Sequence, residues 1–166
     1  VGQLRRSCAL GELDQPLPAG QIFRWDESAA LQLRLYAGHL ASKDDDLVLV
    51  RGNRLAIETD AGGWEVVGFA TAELLASGLY RLTRLLRGQA GTGHATGPAA
   101  AGRRVVVLDD RPLLLPVPPQ WLGETRTLLA YAGRSDAAGV SFAASLDLAP
   151  VLPLAPTLLR AERPAG

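Results

Sequence analysis

Residues 78–93, GLYRLTRLLRGQAGTG, carry two incompatible periodicities, and the choice between them decides the fold. At the helical period, a segment from Glu73 to Leu86 sets Leu75, Leu79, Leu82 and Leu86 on one face and the arginines on another. Gly78 would then lie inside the helix, at a cost of about 1 kcal/mol relative to alanine. At period two, a strand starts at Gly78 and sends Tyr80 and Leu82 to one side and Arg81 and Thr83 to the other. The pattern leans towards the strand and leaves the helix standing.

The flanking segments are strand-like. LQLRLYA alternates Leu31, Leu33 and Leu35 against Gln32, Arg34 and Tyr36, and RLAIET repeats the alternation with Leu55 and Ile57 inward. GGWEVVGFA predicts a tight turn at Gly62 and Gly63 that launches a strand, with Trp64 anchoring the core. RRVVVLDD holds three consecutive β-branched valines, which suit a pleated surface better than a helix. TLLAYAG and GVSFAASLDL predict an antiparallel pair joined by the polar turn RSDAAG. Short apolar segments parted by Gly, Pro, Asp and Asn give a mainly β fold, an antiparallel barrel or sandwich-like module.

Two stretches depart from this pattern. GTGHATGPAAAG holds no large apolar residue and reads as an exposed loop, with a sub-boundary of the module conceivable within 91–102. RPLLLPVPPQWLGE carries Pro112, Pro116, Pro118 and Pro119, which forbid a continuous helix. Residues 1–149 are therefore expected to form the β-rich module. Residues 150–166, with prolines at 150, 153 and 156, are expected to be an extended connector to a following domain. The chain starts at Val1, contains no methionine and is read as an excerpt of a longer polypeptide.

Composition narrows the chemistry. The 166 residues are 48% hydrophobic, enough to bury a core, and 17 basic side chains balance 17 acidic ones, so overall charge predicts no polyanion or anionic membrane as partner. Cys8 is the only cysteine, which rules out an intrachain disulfide and any multi-cysteine metal site. His39 and His94 lack metal-ligand spacing, and no GxSxG elbow marks a nucleophile. GQAGTG lacks the Gly-Lys-Ser/Thr ending of a phosphate loop, and GTGHATG misses the dinucleotide fingerprint. No catalytic, cofactor-binding or metal residue is nominated. Locally, Arg81, Arg84, Arg87, Arg103 and Arg104 lie in a span without acids between Glu73 and Asp109. That patch invites a polyanion reading, against a solvated face neutralised by acids such as KDDD at 43–46 or LDD at 108–110.

The motifs are more specific than the composition. WEVVGFATA, with Trp64, Glu65, Val66, Phe69 and Ala72, and YRLTRLLRGQAGT, with Tyr80, Leu82, Leu85, Leu86, Arg87, Gly88, Gly91 and Thr92, resemble paired motifs of large tail-tip or baseplate hub proteins. These proteins belong to long-tailed phages and to the phage-like gene transfer agents of α-proteobacteria. GHLASKDDDLVLVRGNRLAI and LPLAPTLLRAERPAG extend the resemblance on either side. Gly93 departs from it, since family members often carry an acid after the GT pair.

The resemblance implies a strand running into a turn, with Arg87 orienting that turn, and a non-enzymatic place in a hub that closes the tail tube. It further implies a homotrimer in contact with the distal tail ring and receptor-binding elements, and only indirectly with the host envelope. No cofactor and no direct nucleic-acid contact are expected. The place would be a virion or particle tail tip, made in the bacterial cytoplasm. Arg81 and Arg84 are the expected inter-subunit contacts. The alternative is a β-module that binds carbohydrate or nucleic acid through residues 81–104.

Overall fold

The strand reading of residues 78–93 is the one the chain adopts, in a computed structural model that describes residues 7–109, 115–133 and 135–146. Among the described residues eight strands form: β1 (Leu10–Leu13), β2 (Trp25–Leu35), β3 (Arg54–Glu58), β4 (Trp64–Ala76), β5 (Leu79–Gln89), β6 (Arg104–Val107), β7 (Thr125–Ala130) and β8 (Val140–Ser145). Helix among the described residues is limited to a five-residue α1 (Asp45–Leu49) and short 3-10 turns at Thr92–Ala95 and Pro119–Trp121. The chain divides into two compact units between Pro118 and Pro119, and residues 91–102 lie inside the first.

The first unit is a closed antiparallel barrel in the order β1-β2-β5-β4-β3-β6. β3, β4 and β5 follow one another as a meander, and β6 returns by a long connection to lie beside β3, which makes a Greek key. Closure leaves no strand at a sheet edge. Alternation supplies the interior: Leu31, Leu33 and Leu35 from β2, Leu55 and Ile57 from β3, Val67 and Phe69 from β4, and Tyr80, Leu82 and Leu85 from β5 are buried together.

Gly78 is the hinge between β4 and β5. Its φ is +70°, and an added Cβ would come within 2.7 Å of the Leu35 carbonyl oxygen, so a side chain is excluded twice over. The helical alternative for residues 73–86 fails at this residue. Within β5, Arg84 (φ +55°) and Gly88 (φ +67°) are also left-handed. Tyr80 and Leu82 are buried, then the twist at Arg84 breaks the alternation, and Leu85 to Gly88 are buried without interruption. Opposite Arg84, β2 bulges over three residues between Asp26 and Ala30. The Asp26 carboxylate shapes that bulge by accepting from the Ser28 N–H and hydroxyl and from the Ala29 N–H. These bonds, the Ser28 hydroxyl first, hold its pKa below the ordinary aspartate value.

The connections 14–24, 59–63 and 90–103 emerge at one end of the barrel and are sewn together there. Leu17 and Ala99 exchange backbone hydrogen bonds of 2.8 and 2.9 Å, and the Asp60 N–H donates to the Pro98 carbonyl at 3.0 Å. Contrary to the expectation of an exposed loop, Ala99 is buried and belongs to the core cluster. The lack of bulk in GTGHATGPAAAG suits a segment that must fit closely under its neighbours.

The second unit contains β7 and β8, paired from Thr125↔Ser145 to Ala130↔Val140. The turn between them is organised by Asp136, whose carboxylate accepts from the N–H groups of Ala132, Ala138 and Gly139. Arg126 lies over the Trp121 ring, 4.9 Å from its centroid. The expected connector at 150–166 falls outside the described residues, as do residues 111–114 of the proline-rich stretch.

Candidate functional site

The two motif halves meet on adjacent strands. Arg87 of β5 and Glu65 of β4 are 0% and 1% exposed, and the guanidinium Nε and Nη2 donate to the two Glu65 oxygens at 2.6 and 2.7 Å. This fork-to-fork geometry is the strongest form of the pair. The remaining Arg87 donors reach backbone: Nη1 to the Pro18 carbonyl at 3.0 Å and Nη2 to the Gly97 carbonyl at 3.4 Å. Glu65 also accepts from the Gly88 N–H at 3.1 Å.

The glycines of the motif have distinct tasks. Gly88 supplies the left-handed bulge residue that turns its N–H onto Glu65, and a Cβ there would lie 3.0 Å from both Gly93 Cα and Ile22 Cγ2. Gly91 (φ +78°) opens the following 3-10 turn. Thr92 closes the arrangement: its hydroxyl donates to the Gln89 carbonyl at 2.7 Å and accepts from the Val66 N–H at 2.9 Å. Outside the motif, Gly20 leaves room for the guanidinium, since a Cβ would stand 2.9 Å from Arg87 Nη1.

Trp64 does not anchor the core. It is 38% exposed, with the Arg104 guanidinium 5.4 Å from its ring centroid. The cause is the phase of β4: Glu65, Val67 and Phe69 take the inward positions, because Glu65 must meet Arg87, and Trp64 is left on the outer wall. Phe69, Tyr80 and Leu82 are buried in the barrel core. Glu65 is the decisive residue that sequence reading carried only as a motif letter. Its one signal was an acid within the otherwise apolar run WEVVGFA.

The basic segment is largely neutralised within the barrel. Arg84 is forked onto Asp45 of α1, also reaches Glu27, and lies 5.1 Å from the Trp25 ring centroid. The Arg84 hydrogen bond is the main cause of the lowered pKa of Asp45. Arg103 pairs with Asp60 at 2.8 Å, and Arg104 donates to Glu58 at 2.9 and 3.0 Å. Arg104, chiefly by hydrogen bonding, holds the Glu58 carboxyl down at about 2. Arg81 stands exposed on the outer face of β5, opposite Glu73 on β4 and Gln32 on β2. Of the two expected inter-subunit arginines, Arg84 is thus already engaged inside the chain.

Both Glu65 oxygens are occupied by Arg87 and the Gly88 N–H and shut off from solvent, so the pair fastens β4 to β5 and to the two loops that Arg87 reaches. An open recess beside α1 is lined by Ser42, Lys43, Asp44, Asp45, Ala70, Thr71 and Arg84, but Asp45 and Arg84 are spent on each other and Ser42 Oγ accepts from the Ala72 N–H at 3.0 Å. Among the described residues no group of three or more His, Cys, Asp or Glu could hold a metal ion, and no helix is long and apolar enough to cross a membrane.

Comparison with known proteins adds one family. Residues 8–106 match the family described as Rcc01698-like, C-terminal. The matched span starts just before β1 and ends within β6, so the family unit and the barrel have nearly the same bounds. No curated protein matches the chain.

Proposed function

The chain belongs to the Rcc01698-like, C-terminal family, and from the resemblance of its WEVVGFATA and YRLTRLLRGQAGT motifs to those of tail-tip hub proteins we propose that it is a non-enzymatic structural module of a phage-like tail tip or baseplate. In this role three copies surround the tail axis in a hub that closes the tube, between the distal tail ring and the host-recognition or penetration elements. The observation that carries the reading is the mutual fastening of the two hub-like motif halves, Glu65 to Arg87 and Gly88, and Val66 to Thr92. Motif residues spent on internal fastening support a role as a rigid building block, whose outer wall is free for neighbours and whose contacts threefold symmetry would repeat.

The engagement of Arg84, Arg87, Arg103 and Arg104 by carboxylates weighs against the polyanion reading of residues 81–104. Cryo-electron microscopy of the intact particle with threefold averaging at the tail tip tests the proposal. The expected result is barrel density in three copies around the axis, with Arg81 on the outer wall. Finding the barrel elsewhere in the particle, or against nucleic acid, would overturn it.

A further inference from the structure

Arg87 adds a second fastening to loops that already touch at the Leu17–Ala99 bridge. From its anchor on Glu65 inside the barrel it reaches one carbonyl on each of two loops, Pro18 on 14–24 and Gly97 on 90–103. The loops are bonded directly to each other through the Leu17–Ala99 bridge. A third loop joins them through Asp60, whose N–H donates to Pro98 and whose carboxylate accepts from the Ala100 N–H at 3.1 Å. Ile22 pairs with Arg87 itself, and the next residue, Phe23, is held at φ +62° with its side chain resting on Gly93. That conformation is costly for an aromatic residue and persists only where its surroundings enforce it.

We infer that loops 14–24 and 90–100 form a single latch over this end of the barrel, fastened by Arg87, which opens and closes as one unit while the strands stay paired. Neither loop can lift without breaking a bond to the guanidinium. Once one carbonyl leaves, water reaches the Arg87–Glu65 pair and takes over its hydrogen bonding, so the second carbonyl is held less firmly. The strain at Phe23 is released in the same movement. Opening would present Ile22 and Phe23 in a new place and wet a charge pair that is otherwise dry, a device built into the barrel independently of the assembly that holds it.

Native-state hydrogen exchange on the full chain in increasing sub-denaturing urea tests this. The expected result is that the Leu17 and Ala99 amides share one opening free energy and one urea dependence, both smaller than those of the barrel amides of Leu33 and Ile57. Different values for the two loops, or a merger of both with the barrel amides, would overturn the inference. In Arg87→Lys, which keeps a charge for Glu65 but cannot span both carbonyls, both amides should exchange faster by the same factor, roughly tenfold or more. Acceleration of one loop alone would refute the shared fastening. Should that variant not fold, the wild-type urea series decides by itself.

Discussion

Replacing Glu65 by glutamine leaves the shape of the barrel interior almost unaltered and removes one charge, which makes it the sharpest probe of the fold. The side-chain amide can still offer one oxygen to Arg87 Nε or to the Gly88 N–H, but its NH2 group faces Arg87 Nη2, donor against donor. The charge-assisted bond of 2.7 Å is lost, and a guanidinium that is 0% exposed remains without a counter-ion. Breaking a buried pair on one side costs about 3–5 kcal/mol, set against a total stability of about 5–15 kcal/mol for a domain. Replacing both members by Glu65→Leu and Arg87→Met removes the uncompensated charge and should cost clearly less than the sum of the two single changes, a coupling of at least roughly 1–2 kcal/mol. The assay is urea unfolding followed by tryptophan fluorescence in a Trp121→Phe background, so that Trp25 and Trp64 report on the barrel alone. A cost below about 1 kcal/mol for Glu65→Gln, or strict additivity in the cycle, would refute the view that this pair locks the barrel.

The glycines and the surface carboxylates yield further expectations. Gly88→Ala forces a side chain onto a φ of +67° and against backbone, and should cost about 1–3 kcal/mol in the same urea assay. Gly93→Ala meets the exposed Phe23 ring at 2.9 Å and Ile22 Cδ1 at 3.4 Å, side-chain ends rather than backbone, so it should cost less than about 1 kcal/mol. Acid should weaken the barrel with a definite sign: Glu58 is held at about 2 against an ordinary 4.5, so the unfolded chain takes up its proton first. The Glu58 contribution is then complete above pH 4.5 and is lost as pH falls towards 2. Thermal unfolding as a function of pH should show that loss, and Arg104→Gln should remove its Glu58 share; an unchanged profile in the variant would contradict the assignment.

Strand phase was legible wherever apolar and polar residues alternate without interruption, as at Leu31, Leu33 and Leu35 or Leu55 and Ile57. The β7–β8 hairpin was legible from its polar turn. Residues 78–93 were ambiguous for a reason the fold makes plain. Leu82, Leu85 and Leu86 mimic helical spacing because the strand skips one position at Arg84, and a left-handed arginine has no signature in a sequence. Trp64 was misplaced because alternation alone does not say which phase is inward. The phase of β4 is set by a partner 22 positions away, in Arg87. Of the candidate site, the motif letters drew attention to Arg87, Gly88 and Thr92, but what joins them is Glu65, whose burial only a paired guanidinium makes tolerable.

The left-handed residues at positions 84 and 88 also bear on how the barrel assembles. A regular strand displaced by two residues still offers its apolar face to the core, so nothing but the loops tells the true alignment from a slipped one. β5 carries two marks on an otherwise repetitive ruler: Arg84, met by the widening of β2, and its own extra residue at Arg87–Gly88, which faces the single β4 residue Val67 and lets Gly88 meet Glu65. Sliding β5 by two would set the β2 bulge against regular strand and part Arg87 from Glu65. Slipped pairings therefore lack a deep minimum in which to linger, and a chain of leucine-rich strands that could pair in many ways is left with one alignment that closes.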